Sequence, residues 1–364
     1  MRLLGFTDSR HDIFASPIYA TGEPAEVVSV SDTSGPIKKY ASLLRRGTNA
    51  IQNHDPDVLL SNHPGRLGFA VALLGAQYNV PTVIKLGGNL WRTNYDKLAE
   101  HWTDGHYLSF VARCGQITLN RVVCLQAAGF LVVSEALKCT VIERTRRPER
   151  EVQVVHIPVK FEQYANGNRV AGRRCLNVGD APLILSVTNL NFRGKFEGVC
   201  QAIDELEPIL RKRGITYVIA GGGRYLGALR EYIETEVSPI VRKRIRLPGF
   251  VGDIANVYAA ADLFVYLSNI DGYPNVILEA QAAGLPVVAN AAHGMLEQID
   301  DKQNGALVDT SNEGELQGTV RELLDDPAER ERLGKRAQRT VRKRNSPKAI
   351  GEQMIRAVEK IINK

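Results

Sequence analysis

The stretch that decides the fold runs from Ala261 to Asn290 and reads ADLFVYLSNIDGYPNVILEAQAAGLPVVAN. Its first part, Asp262–Leu267, is an unbroken apolar run rich in β-branched and aromatic residues, which predicts a buried parallel strand. A glycine and a proline then break the chain, and Val276–Ala283 predicts a helix with Asn275 as its N-cap. Gly284 predicts the helix end, and LPVV begins a second buried strand. This order of elements predicts an α/β unit with a parallel sheet.

Two acidic residues frame the turn between strand and helix. Asp271 lies in the loop at the carboxyl end of the strand, and Glu279 lies about one turn into the helix. Ligands of open α/β sheets bind at the carboxyl ends of strands, and a helix N-terminus there suits a phosphate. The turn is therefore predicted to hold an anionic group beside two carboxylates that bind hydroxyls. A phosphate-linked sugar has both features.

Asp271, Glu279 and the residues around them resemble the E-x7-E signature of family 4 retaining glycosyltransferases, the glycosyl transferases group 1. Members of that family have the two-domain GT-B fold and use nucleotide-diphospho-sugars. They usually carry Glu at the first position, where this chain has Asp. The resemblance implies that Asp271 positions the sugar or stabilises its charge, and that Glu279 binds the ribose hydroxyls.

Composition places the chain among globular proteins of two ordinary domains. It has 364 residues, 44% hydrophobic and 24% charged, with a net charge of +6 that favours anionic partners such as sugar nucleotides or an anionic lipid surface. No apolar run approaches the ~20 residues of a membrane span. The chain start has no apolar signal core, and the five cysteines are scattered without C-x-x-C. These features predict a cytoplasmic protein, with a peripheral position at the inner membrane face left open.

The alternation of strands and helices, together with the resemblance, predicts two Rossmann-like domains that face each other across a cleft. Residues 1–165 are expected to form an N-terminal, acceptor-side domain. Residues 166–181, within a polar and turn-rich stretch, are expected to form a hinge. Residues 182–345 are expected to bind the nucleotide-sugar, and residues 346–364 to form a helix that packs back toward the first domain.

The loop after the first strand of the second domain carries the expected phosphate ligands. By resemblance, Lys195 and a second basic residue hold the diphosphate. Asn189 stands where the family has that basic residue, and Arg193 is expected to supply the missing charge. Catalytic roles are therefore assigned to Asp271, Lys195 and Arg193.

A triple glycine follows the second strand of this domain. Gly222 and Gly223 are expected to let the backbone approach a ligand closely. The run is not G-x-G-x-x-G and does not follow the first strand, which argues against a dinucleotide dehydrogenase. Phe250 and Val251 resemble the family loop whose backbone contacts the base, with a simple turn as the alternative. The remaining residues assigned to the donor are Tyr273, Asn275 and Val276, besides Asn189 and Glu279.

The loop Gly87–Asp96 follows a strand of the first domain. The family often has a His near Gly87 that touches the donor sugar, and the residues that replace it here are Asn89, Trp91 and Arg92. They are assigned to the acceptor or sugar side, with a packing loop as the equal alternative.

The helix that starts near Ser134 is basic, which allows two interpretations. The first is contact with an anionic membrane, and the second, which is preferred, is a helix face exposed to solvent. Its basic residues are Lys138, Arg144, Arg146, Arg147 and Arg150.

Metal and nucleic acid are not expected as partners. The D-x-D at Asp55–Asp57 contains Pro56 and reads as a strand entry, and the histidines show no ligand spacing. The basic run near Arg342 lacks interleaved aromatic residues. No metal and no cofactor are predicted.

The expected activity is that of a hexosyl or other glycosyltransferase. A sugar-nucleotide 2-epimerase of the same fold and a non-catalytic nucleotide-sugar-binding relic are the alternatives. The acceptor is left open among lipid-linked glycans, surface polysaccharide, protein and small molecules. A peripheral contact with an anionic membrane is also left open.

Overall fold

The computed structural model describes residues 1–8, 11–29, 35–212 and 214–363, which form two compact units. One unit contains Met1–Pro158 together with the C-terminal residues from Pro347, and the other contains Val159–Ser346. The chain therefore completes the second unit before its last helix returns to the first. Lys364, the end of the predicted C-terminal segment, lies outside the described residues.

The first unit is a six-stranded parallel sheet with helices on both faces. Its strands are β1 (Leu3–Thr7), β2 (Ala25–Ser29), β3 (Val58–Ser61), β4 (Thr82–Leu86), β5 (Gly129–Val132) and β6 (Val152–Val154). Its helices are α1 (His11–Ala20), α2 (Pro36–His54), α3 (Arg66–Tyr78), α4 (Leu90–Thr103), α5 (Tyr107–Gln126), α6 (Glu135–Thr145) and α17 (Pro347–Ile362). The sheet order is β2-β1-β3-β4-β5-β6, so the strand order reverses between β1 and β3.

Both faces of this sheet are buried, which explains the continuous apolar sequence of its strands. All residues of β1 are buried. On one face, Leu3 packs in a cluster with Phe14 of α1 and Met354 of α17. On the other face, Phe6 packs in a cluster with Leu43 of α2.

The C-terminal helix packs on the first unit, as predicted. Gly351 of α17 lies so close to α1 that a Cβ atom there would be 2.2 Å from the carbonyl oxygen of Pro17. Ile350 and Val358 are at most 1% exposed and belong to the same core cluster as Phe14. Because the apolar stripe of α17 completes this core, the helix is a structural part of the first unit.

The second unit has a second six-stranded parallel sheet. Its strands are β7 (Leu183–Val187), β8 (Thr216–Ala220), β9 (Ile245–Gly249), β10 (Leu263–Tyr266), β11 (Val287–Asn290) and β12 (Ala306–Val308). Its helices are α7 (Phe161–Ala165), α8 (Arg169–Cys175), α9 (Arg193–Lys212), α10 (Leu226–Thr235), α11 (Pro239–Arg242), α12 (Ile254–Ala260), α13 (Asn275–Ala282), α14 (Met295–Gln298), α15 (Glu315–Asp325) and α16 (Pro327–Arg344). The sheet order is β12-β11-β10-β7-β8-β9. The α/β class with two parallel sheets is therefore confirmed.

The stretch predicted to be turn-rich, 160–182, is largely helical and belongs to the second unit. Arg169 and Arg173 of α8 lie 2.7 and 3.0 Å from the carboxylate of Asp262 at the start of β10. Gly172 packs so closely on α12 that a Cβ atom would lie 1.8 Å from the carbonyl oxygen of Asn256. Two of the polar residues that suggested a loop, Arg169 and Arg173, thus bind one partly buried carboxylate. A hinge role for 166–181 stays a prediction.

Across the residues that the structure describes, no helix combines the length and the apolar character that crossing a bilayer requires.

Candidate functional site

The strand order of the second unit reverses between β10 and β7. Ligands of open α/β sheets bind outside the carboxyl ends of the strands at such a reversal. The chain leaves β7 at Val187 and β10 at Tyr266. The loops that follow these two strands therefore define the candidate site.

A lysine and an aspartate pair at this reversal. Nζ of Lys195, in the first turn of α9, lies 3.1 Å from Oδ1 of Asp271, in the loop after β10. The two side chains are 16% and 19% exposed, so water and salt screen the pair only partly. Two of the residues predicted to be catalytic are therefore in direct contact.

The other carboxylate oxygen of Asp271 accepts two hydroxyl hydrogen bonds. Oγ of Ser268 donates at 3.1 Å, and the hydroxyl of Tyr266 also donates to this oxygen. Burial and then the nearby Asp271 carboxylate raise the pKa of Tyr266 well above its ordinary value, so its hydroxyl stays a donor. Donors from β10, its loop and α9 thus fix the orientation of the carboxylate.

The loop that carries Asp271 is held in place from β11. Oδ1 of Asn290, the last residue of β11, accepts a hydrogen bond from the backbone N–H of Ser268 at 2.9 Å, and its Nδ2 donates to the Ser268 carbonyl at 3.2 Å. Nε2 of His293 lies 3.1 Å from the carbonyl oxygen of Asn269. The sequence reasoning did not assign Asn290 or His293. The position of Asn290 at the end of a strand was the signal that the sequence offered.

The helix after the loop begins one residue earlier than predicted. Asn275 is the first residue of α13, Pro274 is its N-cap, and none of the described side chains caps it. Proline holds φ near −65° and can occupy this flanking position, so the prediction of Asn275 as N-cap was wrong. The first backbone N–H groups of α13 consequently have no side-chain acceptor, which suits an anion.

Glu279, in the second turn of α13, faces two tyrosines. The Tyr258 hydroxyl donates to its Oε2 at 2.8 Å. Tyr164 of α7 packs edge-on against Tyr258, with ring centres 5.8 Å apart. Burial, with a further contribution from Glu279, raises the pKa of Tyr164 above its ordinary value. Both hydroxyls therefore remain protonated donors beside the carboxylate.

The triple glycine joins the turn after β8 to the turn after β7. Gly221 and Gly223 have φ of +128° and +146°. A Cβ atom on Gly221 would lie 1.8 Å from the Thr188 carbonyl oxygen, and one on Gly223 would lie 2.5 Å from the Leu190 carbonyl carbon. Gly221 and Gly223 are required for backbone packing inside the protein, whereas the predicted role of Gly223 was close approach to a ligand.

Open space lies beside the middle glycine. The nearest heavy atom to a Cβ on Gly222 would be the backbone nitrogen of Phe250, at 3.9 Å. The Phe250 side chain is 87% exposed. Oδ1 of Asn189 accepts hydrogen bonds from the backbone and side chain of Asn191, at 3.1 and 2.6 Å, and so shapes its own loop. Gly222 and Phe250 therefore leave room for a flat group.

The structure does not bring every predicted residue to the Lys195–Asp271 pair. Arg193 is 74% exposed and donates from Nε to Oε1 of Glu197 at 2.8 Å. The buried hydroxyl of Tyr273 accepts from Nδ2 of Asn345 at 3.3 Å, and burial raises its pKa to about 12. Two further predicted residues, Val251 and Val276, are half-buried against the apolar core of the second unit.

The acceptor-side residues lie in the first unit, and the predicted loop Gly87–Asp96 is mostly helical. α4 begins at Leu90 because Asn89 is its N-cap: Oδ1 accepts from the backbone N–H of Arg92 at 3.0 Å. Gly87 and Arg92 are exposed, and Trp91 is half-buried.

Trp91 lines a cavity of about 460 Å³ between α4, α5 and α6. The amide of Asn94, 6% exposed, and the side chain of Tyr95 come from α4, and the other walls include Arg121, Leu125 and Arg144. The bulk of the cavity wall therefore comes from residues that the sequence reasoning did not assign.

An aspartate–histidine pair lies where the strand order of the first unit reverses. Nε2 of His63, after β3, lies 2.5 Å from Oδ1 of Asp8, after β1, and Nζ of Lys39 lies 3.8 Å from Oδ2. The hydrogen bond to His63 is the chief cause that lowers the pKa of Asp8. The sequence reasoning missed this pair because its members lie far apart along the chain. Their positions after two strands were the available signal.

Within the described residues, no group of three or more His, Cys, Asp or Glu side chains has a geometry that could hold a metal ion. The absence of a metal in the reaction stays a prediction.

Residues 173–340 match the model of a family described as Glycosyl transferases group 1. All the residues of the second-unit site lie within this range. An uncharacterized glycosyltransferase, MJ1607, of Methanocaldococcus jannaschii is 28% identical over 67% of this chain and 65% of its own length. The lipopolysaccharide core biosynthesis glycosyltransferase LpsD of Rhizobium meliloti is 29% identical over 56% of this chain and 55% of its own length. The chain thus spans between half and two thirds of these curated relatives.

A likeness to solved structures extends over the whole chain. Anabaena Alr3699/HepE, whose crystal structure is in complex with UDP and glucose, aligns with a TM-score of 0.72 at 19% identity, covering 99% of both chains. At this identity the likeness shows the fold alone. Together with the two parallel sheets, it confirms the predicted GT-B class.

Proposed function

We propose that this chain is a retaining glycosyltransferase that moves a sugar from a nucleotide-diphospho-sugar to an acceptor hydroxyl. The observation that carries the proposal is the Lys195–Asp271 pair at the strand reversal of the second unit, beside the uncapped start of α13. The family match over residues 173–340 supports it, because that range contains the pair and Glu279.

The donor would bind with its diphosphate at the N-terminus of α13. Backbone N–H groups and the positive end of the helix dipole attract this group, and a diphosphate would compete with Asp271 for the Lys195 ammonium. The Glu279 carboxylate accepts from Tyr258 through Oε2, and a carboxylate can accept several hydrogen bonds, so it would also accept the ribose hydroxyls. The base would occupy the open space beside Gly222 and Phe250.

The reaction breaks the bond between the anomeric carbon and the diphosphate oxygen, and forms a bond between that carbon and the acceptor oxygen. Negative charge develops on the diphosphate, where Lys195 and the helix N-terminus would stabilise it. One such preorganised contact contributes about 3 kcal/mol to the transition state. The acceptor hydroxyl would attack from the leaving-group face and pass its proton to a diphosphate oxygen. Asp271 would position the sugar or stabilise positive charge at its anomeric carbon.

A metal ion has no necessary part in this scheme. A diphosphate is a good leaving group and needs no general acid, and the positive groups named above supply the charge that a divalent cation would supply. No cofactor besides the donor substrate is proposed.

The identity of the donor and of the acceptor is a further part of the proposal. HepE, a protein of the same fold, has been crystallised with UDP-glucose, so UDP-sugars are the first donors to test. The acceptor is a glycan, a lipid-linked saccharide or a small molecule. A cytoplasmic location fits the five cysteines, all of which are free thiols.

The basic helix that suggested a membrane contact is α6 with the residues after it. Nζ of Lys138 lies 2.7 Å from Oε1 of Glu149, and the Arg147 guanidinium lies 2.9 Å from Oε2 of Glu151. Two of its five cations are therefore already paired with glutamates, which weakens the case for α6 as the contact with an anionic membrane.

The decisive experiment is thermal unfolding with a panel of nucleotide-sugars, measured on the wild type, Glu279→Ala and Glu234→Ala. A ligand at about 100 times its Kd adds about 2.7 kcal/mol to the free energy of unfolding. One donor is expected to raise the Tm of the wild type and of Glu234→Ala, but not of Glu279→Ala. Glu234 is a matched control because it is exposed and pairs with Arg242 on the surface.

Product analysis then separates transfer from the alternatives. A glycosyltransferase releases nucleoside diphosphate only when an acceptor is present, whereas a 2-epimerase converts the sugar nucleotide alone. Donor binding without either product would support the non-catalytic relic. Equal stabilisation of the wild type and Glu279→Ala would contradict the placement of the ribose.

A further inference from the structure

Exposed apolar side chains concentrate on α4 and α5 of the first unit. In the parts of the chain that the structure describes, twelve large apolar side chains are exposed, and six of them lie on these two helices. They are 60–90% exposed and comprise Tyr95, Trp102, Tyr107, Leu108, Val111 and Leu125. Single exposed apolar residues are ordinary, but their concentration on two neighbouring helices points to an interaction surface.

The outer face of α5 is an uncharged stripe along the full helix. At helical spacing, this face carries Leu108, Val111, Gly115, Thr118, Val122 and Leu125. All of them are exposed except Val122, which is half-buried. The opposite face packs inward through Asn120 and Val123. A helix with apolar residues on both faces has one face for the core of its own domain and a second face for a partner.

Aromatic side chains stand at the turn between the two helices. The ring centre of Trp102 at the end of α4 lies 5.8 Å from that of Tyr107 and 5.4 Å from that of Phe110. Trp102 and Tyr107 are 60% and 63% exposed. Trp and Tyr combine an apolar ring with a polar group, and they concentrate where lipid chains meet water.

Arginine side chains accompany this surface, and its acidic residues, Asp96, Glu100 and Asp104, all lie on α4 or the turn after it. The sequence 105–134 contains no Asp or Glu. Arg121 and Arg144 line the cavity of about 460 Å³ together with Tyr95 and Leu125, and within the described chain neither guanidinium forms an ion pair. The unpaired guanidiniums therefore lie beside the apolar surface, where they complement an anionic headgroup.

We propose that the α4–α5 hairpin is a docking surface for an anionic lipid bilayer. Leu108, Val111 and the aromatic turn enter the interfacial region, and Arg121 and Arg144 bind phosphate groups of the lipid at the mouth of the cavity. The hairpin replaces α6 as the contact element. The inference goes beyond the proposed transfer reaction and does not depend on it.

A bilayer fits this surface better than a second copy of the chain. A symmetric dimer would place this patch against itself and bring the same arginines together. The chain also carries a net charge of +6, so two copies repel each other while an anionic membrane attracts each of them. Charge complementarity thus selects the lipid surface.

The test is co-sedimentation of the full chain with vesicles of phosphatidylcholine alone and of phosphatidylcholine mixed with phosphatidylglycerol. The wild type is expected to bind the mixed vesicles. Leu108→Ser with Val111→Ser should reduce the partition coefficient by about a hundredfold, since each buried apolar side chain contributes about a factor of ten. Arg121→Gln should reduce it by about fivefold on the anionic vesicles only.

Ile240→Ser is the matched control. Ile240 is 58% exposed on α11 of the second unit, so its loss removes a comparable apolar side chain from outside the hairpin. The control should bind vesicles like the wild type. Donor-induced thermal stabilisation should be unchanged in all variants, which separates a failure of docking from a failure of the proposed function.

Three outcomes would overturn the proposal. The first is that the wild type fails to bind either kind of vesicle. The second is that Arg146→Gln with Arg150→Gln, on the α6 side, abolishes vesicle binding while the Leu108–Val111 variant does not. The third is that the Leu108–Val111 variant changes the oligomeric state in gel filtration and leaves vesicle binding intact. The surface would then be an interface between copies of this chain.

Discussion

At the scale of single residues, the site depends on one ion pair between a helix and a loop. Lys195 lies in the first turn of α9 and Asp271 lies in the loop after β10. Asp271 is also held by Ser268 and Tyr266. The carboxylate is therefore fixed by its own loop, whereas the flexible lysine can turn to a second anion with little rearrangement.

Lys195→Ala should lower turnover far more than donor affinity. Its ammonium would stabilise charge that grows on the diphosphate in the transition state, so kcat is expected to fall by about 100-fold, equivalent to about 3 kcal/mol. Steady-state kinetics with the identified donor and acceptor measure this. Arg211→Ala is the matched control, because Arg211 lies on the same helix and pairs with Glu207 at 2.7 Å. A normal kcat in Lys195→Ala would contradict the assignment.

Asp8→Asn should reveal how the Asp8–His63 pair stabilises the first unit. A carboxylate whose folded pKa is lowered stabilises the fold above its ordinary pKa, and this contribution is lost as the pH falls through the lowered value. The variant should lose about 2 kcal/mol at neutral pH, the typical contribution of a hydrogen bond to a charged group.

Urea unfolding of both proteins as a function of pH measures this difference. The difference in the free energy of unfolding between wild type and variant should narrow below about pH 4, where an ordinary aspartate carboxyl titrates. A gap that stays constant down to acid pH would show that the charge of Asp8 does not contribute.

At the scale of elements, backbone turns decide how the loops of the site meet. The turn after β8 packs directly on the turn after β7, and Gly221 and Gly223 make this possible. The start of α13 is set by Pro274, and the start of α4 is set by Asn89. Each of these boundaries depends on one local residue.

Gly221→Ala and Gly222→Ala should separate packing from ligand space. Alanine at Gly221 would clash with a backbone oxygen and would have to adopt a positive φ. We expect this variant to be destabilised by roughly 1–3 kcal/mol or more, the usual cost of such a conformation. Alanine at Gly222 meets open space and should leave Tm nearly unchanged, but it should weaken binding of the donor nucleotide. Thermal unfolding with and without donor measures both effects. Equal Tm losses in the two variants would contradict this division of roles.

At the scale of the whole molecule, the two units are not two continuous segments of chain. α17 follows the second unit in sequence but completes the core of the first. The stability of the first unit therefore depends on residues beyond Ser346.

A chain that ends at Ser346 should lose the fold of the first unit and keep that of the second. Removal of α17 exposes Leu3, Phe14 and Ile18, and it removes four buried side chains, Ile350, Met354, Val358 and Ile361. At about 1.5–3 kcal/mol for each large apolar side chain, these four contribute about 6–12 kcal/mol, which is as large as the usual margin of stability of about 5–15 kcal/mol. Limited proteolysis should degrade Met1–Pro158 and spare Val159–Ser346. Equal resistance of both units would contradict this view.

Local sequence determined the elements and the class of the fold. The apolar run before Asp271, the break at Gly272 and Pro274, and the stop at Gly284 predict β10, α13 and the start of β11 within two residues. Periodicity and turn residues carry this information because strand and helix geometry depend on near neighbours. The spacing of Asp271 and Glu279 likewise predicted that both acids lie around one turn.

Tertiary structure decided which distant residues meet. Strand order places the end of β7 beside that of β10, and the end of β1 beside that of β3, so Lys195 reaches Asp271 and Asp8 reaches His63. None of these contacts follows from local periodicity, because pairing between strands is a non-local choice made by the burial of the whole sheet.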